Sequence, residues 1–184
     1  MVDIYPTLAE LAGIPHPPHA EGLSLVPALT HPATTSLRAS SSSQFAHCCY
    51  GHHPHPPNHT SLCGMCGHTP SADISYMGYA VRDQDFRFVE WYRWLGAELL
   101  PDCAGVMAME LYPHAGDTGR GEQAFDSGFE TRNLAANQSV AWGVGVATSD
   151  GPYSDVIKRM HAELLRKFPK SLGRCANKTE HIVA

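Results

Sequence analysis

Between Tyr76 and Trp94, apolar and polar residues alternate in a pattern that predicts a β-hairpin. The stretch is rich in aromatic and β-branched residues, which favour a pleated, half-buried strand. Asp83-Gln84-Asp85 interrupts the pattern and predicts the turn. Because side chains alternate across a strand, the second strand has two sets of residues: Phe86, Phe88, Glu90 and Tyr92 on one face, and Arg87, Val89, Trp91 and Arg93 on the other. We expect one face to pack in the core and the other to meet a partner or a substrate. For the hairpin taken alone, the favoured alternative is a plain core hairpin with ordinary surface arginines.

Two other segments have the periodicity of amphipathic helices. The first begins at Asp3, which occupies the N-cap position, and Gly13 ends it. Its apolar residues form one face that we expect to be buried: Ile4, Leu8, Leu11 and Ala12. The second runs from Pro152 to Phe168, where an apolar stripe lies opposite a basic face. We expect this C-terminal helix to pack on a sheet.

The remaining elements are shorter. A short helix is predicted to end near Leu29, and SSSSQF at 40–45 has the character of an edge strand. MAMELY at 107–112 alternates apolar and polar residues and predicts a third strand. The glycine-rich, polar segment 116–128 predicts an exposed insertion, and residues 170–184 predict a flexible tail.

Three segments occur in a recognisable order: VDIYPTLAELAGIPHPPHAEGLSLVPAL, then MGYAVRDQDFRFVEW, then MELYPHAGDTG followed by ETRNLA. They resemble the C-terminal part of sulfatases, and most closely that of iduronate 2-sulfatase-like enzymes in the alkaline phosphatase/arylsulfatase superfamily. The resemblance covers most of the region from Val2 to Leu134. It implies an α+β chain that is a fragment of the α/β sulfatase fold. The expected parts are the last helix of the catalytic domain and a small antiparallel sheet packed by a C-terminal helix.

The resemblance also implies a domain organisation. Residues 1–35 correspond to the terminal helix and connector of a catalytic domain whose remainder is missing. Residues 36–169 correspond to the sulfatase C-terminal subdomain, with a Cys/His-rich loop at 46–70 and the glycine-rich insertion at 116–128. Residues 170–184 form the flexible tail. The missing N-terminal sulfatase domain is therefore the expected partner of this chain.

The function implied by the resemblance is sulfuric ester hydrolysis, performed by the parent enzyme on sulfated sugars such as glycosaminoglycans. Enzymes of this family use formylglycine, made from a Cys or Ser in C-x-P-x-R or S-x-P-x-R, and calcium held by paired aspartates. The chain contains neither motif and no Asp-Asp, Asp-Asn or Asp-His pair. No catalytic or metal residue is therefore assigned, formylglycine and calcium are implied only for the full-length enzyme, and the isolated chain is expected to be inactive.

Three residues have the charge to contact a sulfated sugar: Arg82, Arg87 and His114. Each can also be explained as a structural or solvated side chain, and the sequence favours this second interpretation. The rival function is a non-catalytic binding module, or a zinc-stabilised module, derived from a sulfatase.

The Cys/His-rich loop leaves its chemistry open. A C-x-x-C pair precedes His68, and zinc accepts thiolate and imidazole ligands at such spacing. The candidate zinc ligands are Cys48, Cys49, Cys63 and Cys66. Redox chemistry is disfavoured because no helix follows Cys63 to lower its pKa. A disulfide-stapled or disordered loop is the favoured alternative, since the resembling enzymes are lysosomal or secreted and disulfides persist there.

Composition and short motifs restrict the possible partners and location of the chain. The net charge of −5 and the pI near 6.1 give no electrostatic footprint for nucleic acid. The sequence shows no apolar run long enough to span a membrane. No signal peptide is expected at Met1, which leads directly into a helix, but in the tail of a longer enzyme this would say nothing about the compartment. Glycosylation sequons begin at Asn58, Asn137 and Asn177, which agrees with a lysosomal or secreted location.

Overall fold

The computed structural model describes residues 2–16, 18–32, 37–49, 63–67, 69–117, 129–135 and 151–175. Its contacts divide the chain into two compact units, Met1–Ala39 and Ser40–Ala184. The smaller unit contains α1 (Ile4–Leu11) and α2 (Val26–Thr30), in agreement with the two helices expected there. The larger unit contains a six-stranded antiparallel sheet and α3 (Ser154–Lys167).

Asp3 organises the smaller unit, although not as the predicted N-cap, because its side chain makes no cap hydrogen bond. Its carboxylate accepts hydrogen bonds from the Leu23 N–H at 2.8 Å and from the Arg38 guanidinium at 2.6 Å. These contacts, led by the Leu23 N–H, hold the pKa of Asp3 below its usual value. Thr7 supports the same return of the chain, since its hydroxyl accepts from the Leu25 N–H at 2.9 Å.

The apolar face predicted for α1 is not buried within this chain. Ile4, Leu8 and Leu11 are 44%, 59% and 64% exposed. The helix buries Pro6, Thr7 and Ala9 instead. The apolar periodicity of α1 is therefore real, but within this chain its apolar row is left facing solvent.

The sheet confirms the predicted hairpin. Its strands are β1 (Ser41–Cys49), β2 (Cys63–Met65), β3 (Tyr76–Arg82), β4 (Phe86–Leu95), β5 (Leu100–Pro101) and β6 (Ala108–Pro113). Asp83 makes the turn, since its carboxylate accepts from the N–H groups of Asp85 and Phe86 at 2.9 and 2.7 Å. The strand order is β2-β1-β3-β4-β5, and β6 also pairs with β4. The third predicted strand therefore joins the hairpin as expected.

The register assigns the sheet residues to two faces. We call the first the helix face, because α3 packs there, and the second the Trp91 face. On the helix face, Met160 and Leu164 of α3 join the core and have no exposed surface. Their sheet partners are the fully buried residues Tyr79, Val81, Phe88, Tyr92 and Leu111.

Two boundaries differ from the expectations. The predicted edge strand at 40–45 extends to Cys49, and β1 lies between β3 and β2 because three of its residues pair with β2. The predicted flexible tail begins with ordered residues, since Leu172 and Cys175 are buried in the core. The chain after α3 is thus part of the packed unit as far as Cys175, and residues 176–184 lie outside the described part.

Candidate functional site

The predicted charged residues Arg82 and Arg87 lie directly opposite each other in the β3–β4 ladder. Like charges opposed across two strands repel, so this arrangement needs counterions. Asp117 and Glu130 supply them, at 2.7 Å from the Arg82 guanidinium and 2.6 Å from the Arg87 guanidinium. Each arginine is thus committed to a carboxylate of its own chain.

His114 joins the two ion pairs into one cluster. Its Nδ1 lies 2.9 Å from Asp117 Oδ2 and its Nε2 lies 3.0 Å from Glu130 Oε1. The ring is 4% exposed and stacks on Phe129 at a centroid distance of 5.5 Å. A neutral imidazole has one N–H, so the neutral ring donates to one carboxylate and the protonated ring to both. The three residues considered as possible sugar contacts, Arg82, Arg87 and His114, therefore belong to a single cluster of intramolecular ion pairs.

Glu130, which contributes a carboxylate to this cluster, has a strained backbone conformation. Glu130 has φ of 64°, a left-handed conformation that costs a residue with a side chain about 1–2 kcal/mol. The strain is offset where its carboxylate meets both Arg87 and His114. Asn133, three residues later, continues the β6 ladder: its Oδ1 accepts from the Leu111 N–H at 2.9 Å, and its Nδ2 donates to the Met109 carbonyl at 3.0 Å. The segment after the insertion is thus fastened to both strands of the site.

The helix face holds a second polar cluster, which the sequence did not reveal. Glu90 is 1% exposed and accepts hydrogen bonds from the Tyr92 hydroxyl at 2.7 Å and from His161 Nδ1 of α3 at 2.6 Å. The hydrogen bond that His161 donates to Glu90 raises the pKa of His161 against the opposing effect of burial. Burial, and then the neighbouring Glu90, raises the pKa of Tyr92. A glutamate on the buried face of a predicted strand was the available signal, because buried carboxylates need partners.

On the Trp91 face, the Trp91 indole is held in one place. Its Nε1 donates to Glu110 at 2.7 Å, and the His47 ring lies 5.6 Å from it. Gly78 leaves room for the indole, since a Cβ there would come within 2.8 Å of the ring. Tyr112 also hydrogen-bonds Glu110, and burial followed by Glu110 raises the pKa of Tyr112 to about 12. The indole is thus fixed by packing and hydrogen bonding within the chain.

Four of the cysteines whose side chains the structure describes form two disulfides. Cys48 bonds to Cys66, which agrees with the disulfide interpretation of the loop and leaves neither sulfur as a zinc ligand. Cys49 and Cys63 face each other in the β1–β2 register. Cys103 and Cys175, 72 residues apart, form a second disulfide that sequence reasoning missed. Only the fold brings these two together, so spacing gave no signal.

The described residues do not fit a calcium or zinc site. Among them, no group of three or more His, Cys, Asp and Glu side chains could hold a metal ion. The sequon residues Asn58, Asn137 and Asn177 lie outside the described residues, as do 118–128 of the insertion and most of the loop at 46–70. Within the described part of the chain, no helix combines the length and hydropathy needed to cross a membrane.

No protein-family model and no curated protein matches this sequence. Among solved structures, the chain is similar to a phosphonate monoester hydrolase from Silicibacter pomeroyi, with a TM-score of 0.50 and 22% identity. The match covers 94% of this chain but only 25% of that hydrolase, so the chain spans a quarter of its length. At this identity the likeness concerns the fold. The fold is that of a small α+β unit, an antiparallel sheet with helices, as found in part of that hydrolase.

Proposed function

We propose that this chain is the C-terminal portion of a sulfuric ester hydrolase similar to iduronate 2-sulfatases, and that its parent enzyme acts on sulfated sugars such as glycosaminoglycans. One observation supports this most: the sulfatase-like segments interlock in space. Arg82 and Arg87 come from the hairpin segment, Asp117 from the MELYPHAGD segment, and Glu130 from the ETRNLA segment. Residues that resemble separate family motifs thus complete one charge cluster.

The cluster preserves this arrangement across the insertion. In the family motif ELYDHxxDPxE, the final Glu lies three positions after the second Asp. In this chain, the corresponding residues Asp117 and Glu130 are thirteen positions apart. Both carboxylates nevertheless reach the same imidazole, that of His114. The two ends of the insertion therefore lie beside the same side chain, and each end forms an ion pair with an arginine of the hairpin. This is the pattern expected when a loop is lengthened without loss of the underlying fold.

In the parent enzyme, this portion would stabilise the domain and line its rim, while the reaction chemistry would lie upstream. The formylglycine nucleophile and the calcium site belong to the missing N-terminal domain on this proposal. Arg87 and Arg82, whose side chains are 31% and 40% exposed, would add positive charge near an anionic sugar. Their ion pairs make stabilisation of the hairpin their first role. A lysosomal or secreted location follows from the same resemblance, and the two disulfides agree with an oxidising compartment.

The phosphonate monoester hydrolase supplies a second candidate substrate, because its fold includes this one. A parent enzyme of that type would hydrolyse a phosphonate monoester in place of a sulfate ester. The order of the sulfatase-like segments in the sequence favours the sulfate ester.

The test begins with full-length transcripts. We expect an upstream reading frame, continuous with Met1, that encodes C-x-P-x-R or S-x-P-x-R and paired aspartates. The encoded protein, produced with the formylglycine-generating enzyme, should hydrolyse 4-nitrocatechol sulfate faster than an aryl phosphonate monoester. A matched control replaces the Cys or Ser of that motif by Ala and should lose turnover. The 184-residue chain should be inactive toward both substrates. Turnover by the purified 184-residue chain, or transcripts without the motif, would contradict the proposal.

A further inference from the structure

Strand β1 is open along most of one side. Its residues 41–47 pair with β3, whereas on the other side β2 pairs only with His47, Cys48 and Cys49. We call residues 41–46, which precede the pairing with β2, the outer edge of β1. The described residues supply no other strand beside it, and residues 41–45 are all exposed. The sheet therefore ends in a row of backbone groups that a further strand can pair with.

The register shows which backbone groups of β1 point outward. The Asp83 N–H donates to the Phe86 carbonyl at 3.0 Å, so these two residues form a hydrogen-bonded pair of the β3–β4 ladder. Hydrogen-bonded and non-hydrogen-bonded pairs alternate along an antiparallel ladder. The even-numbered residues of β3 therefore direct their N–H and C=O groups toward the odd-numbered residues of β1. It follows that the N–H and C=O groups of Ser42 and Gln44 point away from β3, at the outer edge.

The outer edge lacks the features that keep most edge strands from pairing. Natural proteins block such edges with lysine, proline or a bulge. Residues 41–46 are Ser-Ser-Ser-Gln-Phe-Ala, without a charge or a proline. They pair with β3 residue for residue, so no bulge interrupts them. The side chains of Ser42 and Gln44 each donate and accept hydrogen bonds, which suits them to a polar neighbouring strand.

We propose that the outer edge of β1 pairs with the same edge of a second copy of this chain, joining two sheets across a two-fold axis. An antiparallel pairing centred on Ser43 places Ser42 of each copy opposite Gln44 of the other, and it satisfies their outward N–H and C=O groups. The Ser43 side chains of the two copies meet at the axis. The inference uses only this sheet and does not depend on the proposed function.

The absence of charge on the edge favours a second copy as the occupant. In an antiparallel self-pairing, a charged residue near the axis faces or adjoins its own copy, and like charges opposed across two strands repel. No residue from 41 to 46 carries a charge, so this penalty does not arise. A two-fold dimer is also the commonest form of oligomer, and its interface uses the same patch on both copies. The outer edge of β1 meets that condition.

Amide hydrogen exchange, followed by NMR, tests the pairing residue by residue in the 184-residue chain. The N–H groups of Ser42 and Gln44 should exchange at least about threefold more slowly at about 1 mM protein than at about 10 µM, because pairing protects them. The N–H groups of Ser43 and Phe45, which point toward β3, are the internal control, and their rates should stay the same. The molar mass from light scattering should rise with concentration from 20.0 kDa toward twice that value.

Charge variants at the axis complete the test. Ser43→Lys changes an exposed residue and places two lysines against each other, so it should abolish the dimer at low salt, and Ser43→Glu should do the same. An equal mixture of these two variants should dimerise again, because opposite charges then meet at the axis. Ser71→Lys makes the same change at an exposed position outside the sheet and should leave the dimer intact.

Three results would overturn the inference. The first is a chain that stays monomeric up to about 1 mM with rapid exchange at Ser42 and Gln44. The second is slow exchange at these two residues that does not depend on concentration, which would mean that the chain covers its own edge. The third is a dimer that Ser43→Lys weakens no more than Ser71→Lys, which would assign the dimer to another surface. None of these results bears on the proposed sulfatase function.

Discussion

Helices α1 and α3 are both amphipathic, yet only α3 finds the partner of its apolar stripe within the described chain. Met160 and Leu164 of α3 have no exposed surface, whereas Leu8 and Leu11 of α1 are 59% and 64% exposed. The difference shows that hydrophobic periodicity encodes a helix and its buried face, but not where the covering surface lies. For α3 that surface is the sheet of the same unit. For α1, on the proposed function, it is a domain upstream.

The polar contacts of the two helices differ as well. α3 is fixed to the hairpin by Arg159, which donates to Asp83 at 2.6 Å, and by His161, which reaches Glu90. Burial alone would raise the pKa of Asp83, but Arg159 and the N–H groups of the turn outweigh it and lower that pKa. The hydrogen bonds of Asp3 and Thr7 in the smaller unit fasten the connector to α1 without covering its apolar row. The two helices therefore differ in what secures them, and variants should reveal the difference.

Removing the Cys103–Cys175 disulfide should have the largest effect on stability. It closes a separation of 72 residues and fastens the segment that follows α3. Constraint of the unfolded chain by a loop of that length is worth about 4 kcal/mol. Cys103→Ser with Cys175→Ser should lower the free energy of unfolding by about that amount in a urea melt. The Cys48–Cys66 disulfide closes a separation of only 18 residues. Its removal by Cys48→Ser with Cys66→Ser should therefore lower the free energy of unfolding by about 3 kcal/mol. An equal or larger loss of stability in this second variant would mean that the Cys103–Cys175 disulfide, which fastens the segment after α3, does not make the larger contribution.

Matched leucine truncations compare the two helices directly. Leu164→Ala should destabilise the chain by about 2–5 kcal/mol, because it leaves a cavity in the core under α3. Leu8→Ala removes an exposed side chain and should change the free energy of unfolding by less than about 0.5 kcal/mol. The exposed row of α1 should also bind hydrophobic dye, and Leu8→Ala together with Leu11→Ala should reduce that binding. A large loss of stability from Leu8→Ala in the 184-residue chain would show that α1 is covered after all.

The sequence predicted the parts of this fold that depend on neighbours along the chain. The hairpin, the strand at 107–112 and α3 all follow from local alternation or helical spacing, and the turn follows from Asp83. What it missed depends on distant residues meeting. The sequence predicts that Cys175 lies in a flexible tail, because nothing nearby along the chain explains its burial and its partner lies 72 residues away. Charge alone singles out Arg82, Arg87 and His114 in the sequence. Their carboxylate partners, Asp117 and Glu130, become apparent only in the folded chain.

The smallest expected difference between the two helices is a pH dependence of stability that only α3 should contribute, through His161. Glu90 raises the pKa of His161 in the folded chain above the ordinary value of 6.5 that applies when unfolded. A raised folded pKa gives stability that is fully present below pH 6.5 and is lost as the pH rises through the folded pKa. The chain should therefore be more stable at mildly acidic pH than at mildly alkaline pH, in urea melts at constant ionic strength.

His161→Gln should remove this slope and cost about 1.5–3 kcal/mol at acidic pH, the usual range for a hydrogen bond to a charged group. At alkaline pH, where the wild-type histidine is neutral, the cost should be smaller. The control is His16→Gln beyond the end of α1, an exposed residue whose substitution should leave the slope as it is. If the slope survives His161→Gln, the link between α3 and Glu90 is not what makes stability depend on pH, and α3 is held to the sheet by its apolar stripe and its remaining contacts.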